Sequence, residues 1–287
     1  MRLKPLETIA KLLRSPKLRF LRRTQISHKQ PTIDTKIIKF SPKSSFSILS
    51  LLYCHLALAF LLGTFFFPPT RVYWDIFDVA CFKFLNGTLV GHPFLQAFWA
   101  LANHKLTDWV EDLIFMVFFI IAIRQVAPPG RLRKASQFLF CILFAATMIY
   151  CVNRVLFREH LKVPRPSPSL VVSPCVRVSE EIPWIKTKEK SSSSFPGDHA
   201  TTVIFFAVSY TFFAGRRLGT YAILYATLRS LPRLIIGAHW FTDIFVGSGA
   251  IVLLFSSWSL CTPFHVWATN WIEAFLKIFT YRKITSK

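Results

Sequence analysis

The segment from Phe46 to Phe67 contains no charged residue and ends at two consecutive prolines. A helix needs about 20 apolar residues to cross the hydrocarbon core of a bilayer, so this segment is long enough to span a membrane. The composition agrees, because 53% of the 287 residues are hydrophobic and 17% are charged. In soluble domains about 45–50% of residues are hydrophobic and about 25% are charged. These features exclude an acidic disordered chain and argue against an ordinary cytosolic protein.

Five further apolar segments follow, and the sequence predicts an all-α polytopic membrane protein with six transmembrane helices. The predicted spans are Phe46–Phe67, Trp109–Ile123, Ala135–Phe157, Ala200–Ala214, Leu218–Ile236 and Phe241–Leu260. The two longer connections, 70–108 and 158–198, are expected on the outer side of the membrane. The first of them is rich in aromatic residues, which is typical of helices that lie in the interface.

Basic residues predict the orientation of these spans. The net charge is +21, and residues 1–45 contain 12 Lys or Arg and two acidic residues. Because cytoplasmic segments are enriched in Lys and Arg, both termini are expected inside the cell. The predicted parts are a basic arm over 1–45, a membrane domain over 46–264 and a basic tail over 265–287. We expect the arm to lie in solvent or against anionic lipid; nucleic-acid binding and an organellar transit peptide are the alternatives.

Three polar clusters fall at the outer ends of predicted spans. The first runs from Arg158 to Pro166, the second from Ser194 to His199, and the third joins Arg233, His239 and Asp243. Ionisable side chains within or beside membrane spans are costly and rare. We therefore interpret the three clusters as one functional site.

The residue types suit phosphoryl transfer. Arg158, Arg165 and Arg233 offer guanidinium groups that match the oxygens of a phosphate. Main-chain N–H groups of the helix that starts near His199 are expected to add to this anion site, which includes Gly197.

Two histidines divide the chemistry. His239 and Asp243 are four residues apart and are predicted on one helical face, so the carboxylate can hold one ring nitrogen while the other attacks phosphorus. His199 is then available to protonate the leaving oxygen as a general acid.

These clusters resemble the three signatures of the type 2 phosphatidic acid phosphatase superfamily, K-x6-R-P, P-S-G-H and S-R-x5-H-x3-D. They stand in this chain as R-x6-R-P from Arg158, P-G-D-H from Pro196 and P-R-x5-H-x3-D from Pro232. The resemblance covers about Phe46 to Leu260. It implies a six-helix fold and a phosphohistidine intermediate at His239, without a metal or other cofactor.

The chain departs from the signatures at four positions. Arg158 stands in place of a lysine and keeps its charge, whereas Gly197 stands in place of a serine and lacks the hydroxyl that would touch the phosphate. Asp198 replaces a glycine, and its carboxylate would repel a phosphate. We therefore expect Asp198 to turn away and cap the fourth span, by accepting from the main-chain N–H of Thr201 or Thr202. Pro232 replaces a serine.

Longer strings resemble a narrower family, the inner-membrane lipid A 1-diphosphate synthases of Gram-negative bacteria. They are S-F-P-G-D-H over 194–199 and P-R-L-I-I-G-A-H-W-F-T-D-I-F-V-G over 232–247. This resemblance implies transfer of a phosphate from undecaprenyl diphosphate to lipid A 1-phosphate, at a site that faces the periplasm from a bacterial inner membrane. The alternatives are a phosphatase of lipid phosphates or isoprenyl diphosphates and a non-enzymatic transporter or scaffold.

Some positions stay open in the sequence. Arg229 precedes Arg233 by one helical turn, so it could line the site, pair with an acid or face the cytoplasmic half. Lys162 is a further cation of the outer loop without an assigned role. Cys81 and Cys175 both fall in outer segments, and nothing in their spacing decides whether they form a disulfide. The oligomeric state is likewise open.

Overall fold

The computed structural model of the chain describes residues 47–161 and 163–285, without the side chains of Arg158 and of residues 279–285. The predicted basic arm, Phe46 and Lys162 lie outside the described residues. The arm, membrane-domain and tail boundaries therefore stay predictions.

Helices form all of the longer regular elements in this part of the chain, which confirms the all-α prediction. The α-helices are α1 Ile48–Phe66, α2 Pro68–Gly87, α3 Pro93–Ala102, α4 Leu106–Arg124, α5 Pro128–Met148, α6 Pro168–Val171, α7 Val178–Glu181, α8 Asp198–Ala214, α9 Arg216–Ile235, α10 Gly249–Leu260 and α11 Phe264–Thr285. The structure also contains two π-helical segments. Ile149–Leu161 continues α5 at its C-terminal end, and Asp243–Ser248 leads into α10.

Three helices of the described part are long and apolar enough to cross a membrane. They are α1, the continuous helix Pro128–Leu161 and the continuous helix Asp243–Leu260. The other three predicted spans coincide with α4, α8 and α9. The first turns of α4 contain Asp108, Glu111 and Asp112, and α8 has only 17 residues. A count of six spans therefore stays a prediction.

Helix α8 lies at the centre of the largest apolar core. Its side chains Val203, Phe206 and Tyr210 are buried against Phe138 of α5 and Ala222 of α9. Helices within a bilayer associate through van der Waals packing of closely fitted side chains and through hydrogen bonds. The core therefore fixes the helix whose N-terminal end carries the second polar cluster.

A second, smaller core joins the outer segments to the end of α9. Asn86 of α2 donates from its amide nitrogen to the carbonyl oxygens of Val176 and Ile235, at 3.0 and 3.1 Å, and accepts from the Val176 N–H at 2.8 Å. This links α2, the outer loop and α9 close to the third polar cluster. Cys81 and Cys175, in the same region, are free thiols.

Two glycines allow the outer loop to approach the helices closely. A Cβ atom at Gly247 would lie 2.8 Å from a ring carbon of Phe195, so only glycine lets this loop rest on the π-helical segment. Gly237 has a φ of +77°, and a Cβ there would lie 2.6 Å from a ring carbon of Phe82. Glycine adopts a positive φ without steric cost. The turn that follows α9 and leads to His239 therefore depends on it.

Candidate active site

His239 lies in the turn between α9 and the π-helical segment, with its ring tautomer fixed by the main chain. Its Nδ1 lies 2.8 Å from the carbonyl oxygen of Ser194. Because a carbonyl oxygen only accepts hydrogen bonds, Nδ1 carries the proton and Nε2 keeps its lone pair. His239 is thereby set up as a nucleophile.

Asp243 holds His239 less directly than the sequence predicts. His239 precedes the helix and does not share a helical face with Asp243; Nδ1 of His239 lies 3.6 Å from Oδ2 of Asp243. That oxygen accepts from the main-chain N–H of Trp240 at 2.8 Å, and Oδ1 accepts from Arg165. The hydrogen bond that orients His239 is therefore accepted by the Ser194 carbonyl oxygen. The buried Asp243 carboxylate lies further from the ring.

Ser194 ties all three polar clusters together. Its main-chain N–H and its hydroxyl both donate to the carbonyl oxygen of Arg165, at 2.7 and 3.0 Å, while its own carbonyl oxygen accepts from His239. The first and third clusters are thus fixed relative to each other through the second.

Arg165 is held by two buried carboxylates. Nη1 pairs with Asp243, and Nη2 pairs with Asp78 of α2 at 2.6 Å. Asp78 also accepts from the N–H and the hydroxyl of Thr242, at the start of the helix that carries Asp243. The sequence predicts a phosphate-binding role for Arg165, and that role stays a prediction. The observed contacts favour a positioning role.

His199, in the first turn of α8, faces an acidic partner that the sequence analysis missed. Its Nδ1 lies 3.6 Å from Oδ1 of Asp108 in the first turn of α4. Burial and the Arg233 guanidinium lower the pKa of the His199 imidazole to about 4, and Asp108 acts in the opposite direction. His199 is therefore neutral at rest, and the negative charge of a bound phosphate would favour its protonation.

Arg233 lies close to both histidines. Its carbonyl oxygen accepts from the N–H of His239 at 3.2 Å, and Nη2 lies 3.9 Å from Asp108. The buried Nε has no hydrogen-bond partner in the described part of the chain. A buried donor without a partner is costly, so a bound phosphate oxygen would satisfy it.

Arg229 pairs with acids, one of the three roles that the sequence leaves open. Its Nε lies 2.6 Å from Glu111 and its Nη2 lies 3.0 Å from Asp108 and from Thr107. A further nitrogen donates to the carbonyl oxygen of Ala102 at 3.0 Å. With its donors occupied in this way, Arg229 positions Asp108.

The start of α8 differs from the prediction made for Asp198. The helix begins at Asp198 itself, and Gly197 is the N-cap residue. The Asp198 carboxylate accepts from the amide of Asn153 at 3.0 Å, across the gap to the π-helical segment. An acidic residue in a first turn also interacts favourably with the helix dipole, which explains its place there. The main-chain N–H of Gly197 is 3.4 Å from the carbonyl oxygen of Asp243.

One cavity brings the predicted groups together. It is lined by Asp198, His199, Arg233 and His239, and by the outer-loop residue Lys188 among others. The side chain of Arg158 lies outside the described part, so its phosphate-binding role stays a prediction. Asp78 and Asp108 carry no motif in the sequence, and their only signal is acidic charge in the segment 70–108.

Comparison with known proteins agrees with this constellation. The PAP2 superfamily, the family of type 2 phosphatidic acid phosphatases, matches residues 138–267. The chain is also 31% identical to lipid A 1-diphosphate synthase of Escherichia coli (strain K12) over 200 residues, which cover 70% of this chain and 82% of that protein. The chain belongs to the PAP2 superfamily. No solved structure matches it.

Membership of the PAP2 superfamily makes the chain a phosphoryl-transfer enzyme, and its apolar helices agree with a membrane enzyme. The non-enzymatic alternative is therefore set aside. The PAP2 match, over residues 138–267, includes all three polar clusters.

Proposed function

We propose that this enzyme transfers the terminal phosphate of undecaprenyl diphosphate to lipid A 1-phosphate through a phosphohistidine at His239. The observation that carries the proposal is the 2.8 Å contact between Nδ1 of His239 and the Ser194 carbonyl oxygen, which leaves Nε2 unprotonated. That imidazole shares a cavity with His199 and Arg233.

In the first half-reaction, Nε2 of His239 attacks the terminal phosphorus of the diphosphate. The new N–P bond forms as the bond from phosphorus to the bridging oxygen breaks, and undecaprenyl phosphate leaves. The charge of the bound substrate favours uptake of a proton by His199, and the bridging oxygen receives that proton. Arg233 stabilises the charge on the oxygens of the group in flight.

In the second half-reaction, an oxygen of lipid A 1-phosphate attacks the phosphohistidine. A P–O bond forms, the N–P bond breaks, and its electron pair returns to Nε2 of His239. If the attacking group is protonated, the neutral His199 accepts that proton and releases it to solvent when the product leaves, which restores the neutral resting state. Attack by water would follow the same course and release inorganic phosphate.

Lipid A is favoured over water as acceptor by the similarity to a lipid A 1-diphosphate synthase and by Gly197, which stands where the superfamily signature has a serine. The runner-up function is a phosphatase of lipid phosphates or isoprenyl diphosphates. Both functions use the same histidines.

Labelled substrate separates these functions. Purified enzyme receives undecaprenyl diphosphate labelled in its terminal phosphate, with and without lipid A. Label on lipid A is the expected result, and label released only as inorganic phosphate, with lipid A present, would favour the phosphatase. His239→Ala should abolish turnover and the acid-labile phosphoenzyme, whereas His92→Ala, an exposed control, should change neither.

We also propose that six spans place both termini in the cytoplasm and the site at the periplasmic face of a bacterial inner membrane. Trp184, in the outer loop, is 74% exposed and suits a labelling test. Trp184→Cys should react with a membrane-impermeant maleimide in intact cells above the level of the unsubstituted chain. Reaction only after lysis would contradict this orientation.

A further inference from the structure

Lys188 lies in a stretch of the outer loop that is anchored on two sides. Its carbonyl oxygen accepts from the amide of Asn103 at 3.4 Å. The next residue, Glu189, has a buried carboxylate that accepts from the N–H of Ser179 at 3.1 Å and from its hydroxyl. The Glu189 carbonyl oxygen accepts from the Ser169 hydroxyl at 2.7 Å. These contacts fix the main chain of Lys188 relative to the cavity.

Lys188 is exposed and is one of the residues that line the active-site cavity, as are His199, Arg233 and His239. Among the described residues its ammonium makes no hydrogen bond or ion pair, whereas that of Lys190, two residues later, pairs with Glu180 at 2.9 Å. Two acidic residues also line the cavity, Glu189 and Asp198, but neither forms an ion pair with Lys188, and the Glu189 carboxylate is bonded to Ser179.

The proposed reaction brings more than one phosphate into this cavity. The phosphoryl group that is transferred contacts His239 and Arg233. The donor retains its second phosphate next to the bridging oxygen that His199 protonates. The acceptor has a phosphate of its own. An ammonium group binds phosphate as a compact point charge and needs no fixed geometry.

We propose that Lys188 binds a phosphate of the substrates that is not the one being transferred, either the second phosphate of the donor or the phosphate of the acceptor. This inference rests on the proposed function. It assigns Lys188 to specificity, in addition to the histidines and arginines of the superfamily signatures.

Two measurements test the proposal on the variant Lys188→Ala. The first is the binding of methylene diphosphonate and of inorganic phosphate to the purified protein. The rise in unfolding temperature on binding measures it, and no turnover is needed. The second is the KM for lipid A 1-phosphate in the transfer assay. Lys190→Ala removes the same charge from the same loop outside the cavity lining and serves as the control. Lys188→Arg keeps the charge and should retain most of the binding.

If Lys188 binds the donor's remaining phosphate, the Kd of the diphosphonate should rise about tenfold to a hundredfold, with the Kd of phosphate unchanged. If it binds the acceptor's phosphate, both Kd values should stay unchanged and the KM for lipid A 1-phosphate should rise by a similar factor. No change in any of the three values, or an equal rise in both Kd values, would overturn the proposal. The same holds if Lys190→Ala reproduces the effect.

The two proposals can fail separately. If the unsubstituted enzyme transfers no label to lipid A, the proposed function is wrong. The difference between diphosphonate and phosphate binding would still decide whether Lys188 recognises the second phosphate of a diphosphate donor.

Discussion

The carboxylate of Asp78 pairs with the guanidinium of Arg165, 87 residues further along the chain, at 2.6 Å. Both groups are shielded from solvent, and the same carboxylate accepts from the N–H of Thr242 at 2.9 Å. Helix α2 is therefore part of the framework that holds Arg165 and Asp243 in place.

Asp78→Asn should destabilise the protein, because it removes one charge of a buried ion pair. Such a loss costs about 3–5 kcal/mol. Arg165 keeps its pair with Asp243, so we expect the free energy of unfolding to decrease by about 3 kcal/mol. Thermal unfolding in detergent measures it. The control Asp75→Asn breaks a half-exposed pair with Arg71 and should cost at most about 1 kcal/mol. Equal losses in the two variants would contradict the role given to Asp78.

Asp243→Asn should slow turnover without abolishing it. Where a carboxylate alone fixes the tautomer of a catalytic histidine, its replacement by an amide lowers kcat about 10⁴-fold. Here the Ser194 carbonyl oxygen holds Nδ1 of His239 at 2.8 Å, so the correct tautomer survives. We expect a clearly smaller loss of kcat, with the phosphoenzyme still detectable by acid quench. A loss as complete as that of His239→Ala would show that the carbonyl does not suffice.

Asp108→Asn should change the pH dependence of turnover through His199. The carboxylate of Asp108 raises the pKa of His199 against the larger effect of burial. Without it the pKa falls further, so a smaller fraction of His199 carries the proton needed by the leaving group. The alkaline limb of kcat should therefore shift to lower pH, and kcat at neutral pH should fall.

The matched control for this experiment is Asp112→Asn, which removes the same charge from an exposed position one turn later in α4. Its pH profile should stay close to that of the unsubstituted enzyme. If Asp108→Asn lowers kcat equally at every pH, Asp108 has a structural role only.

The sequence predicted which of the site residues meet better than it predicted the contacts between them. His199, Arg233 and His239 share a cavity as expected, because motifs at the ends of neighbouring helices meet on one side of the bundle. The hydrogen bond that Nδ1 of His239 donates to the Ser194 carbonyl oxygen has no side-chain signature, so spacing alone assigned the orienting role to Asp243.

The sequence also did not predict which acidic residues pair with the site residues in the folded protein. Asp78 and Asp108 lie on helices remote in sequence from the clusters that they support, and residue type does not reveal which charges meet after folding. The helix start at Asp198 was also misplaced by one residue, because a glycine with no side-chain cap, Gly197, took the N-cap position. Capping rules favour a polar side chain there but allow glycine.

Gly197→Ser restores the serine of the superfamily signature, and the fold has room for it. A Cβ at this position would lie 3.4 Å from its nearest neighbours, Ala200 and the hydroxyl of Ser248, which is ordinary contact. The φ of −79° is also normal for serine. We expect near-unchanged stability in thermal unfolding. The added hydroxyl can donate to the phosphate of the phosphohistidine and help water to attack it. The ratio of released phosphate to labelled lipid A should therefore rise, and an unchanged ratio in a stable, active variant would mean that Gly197 does not bias the enzyme toward transfer.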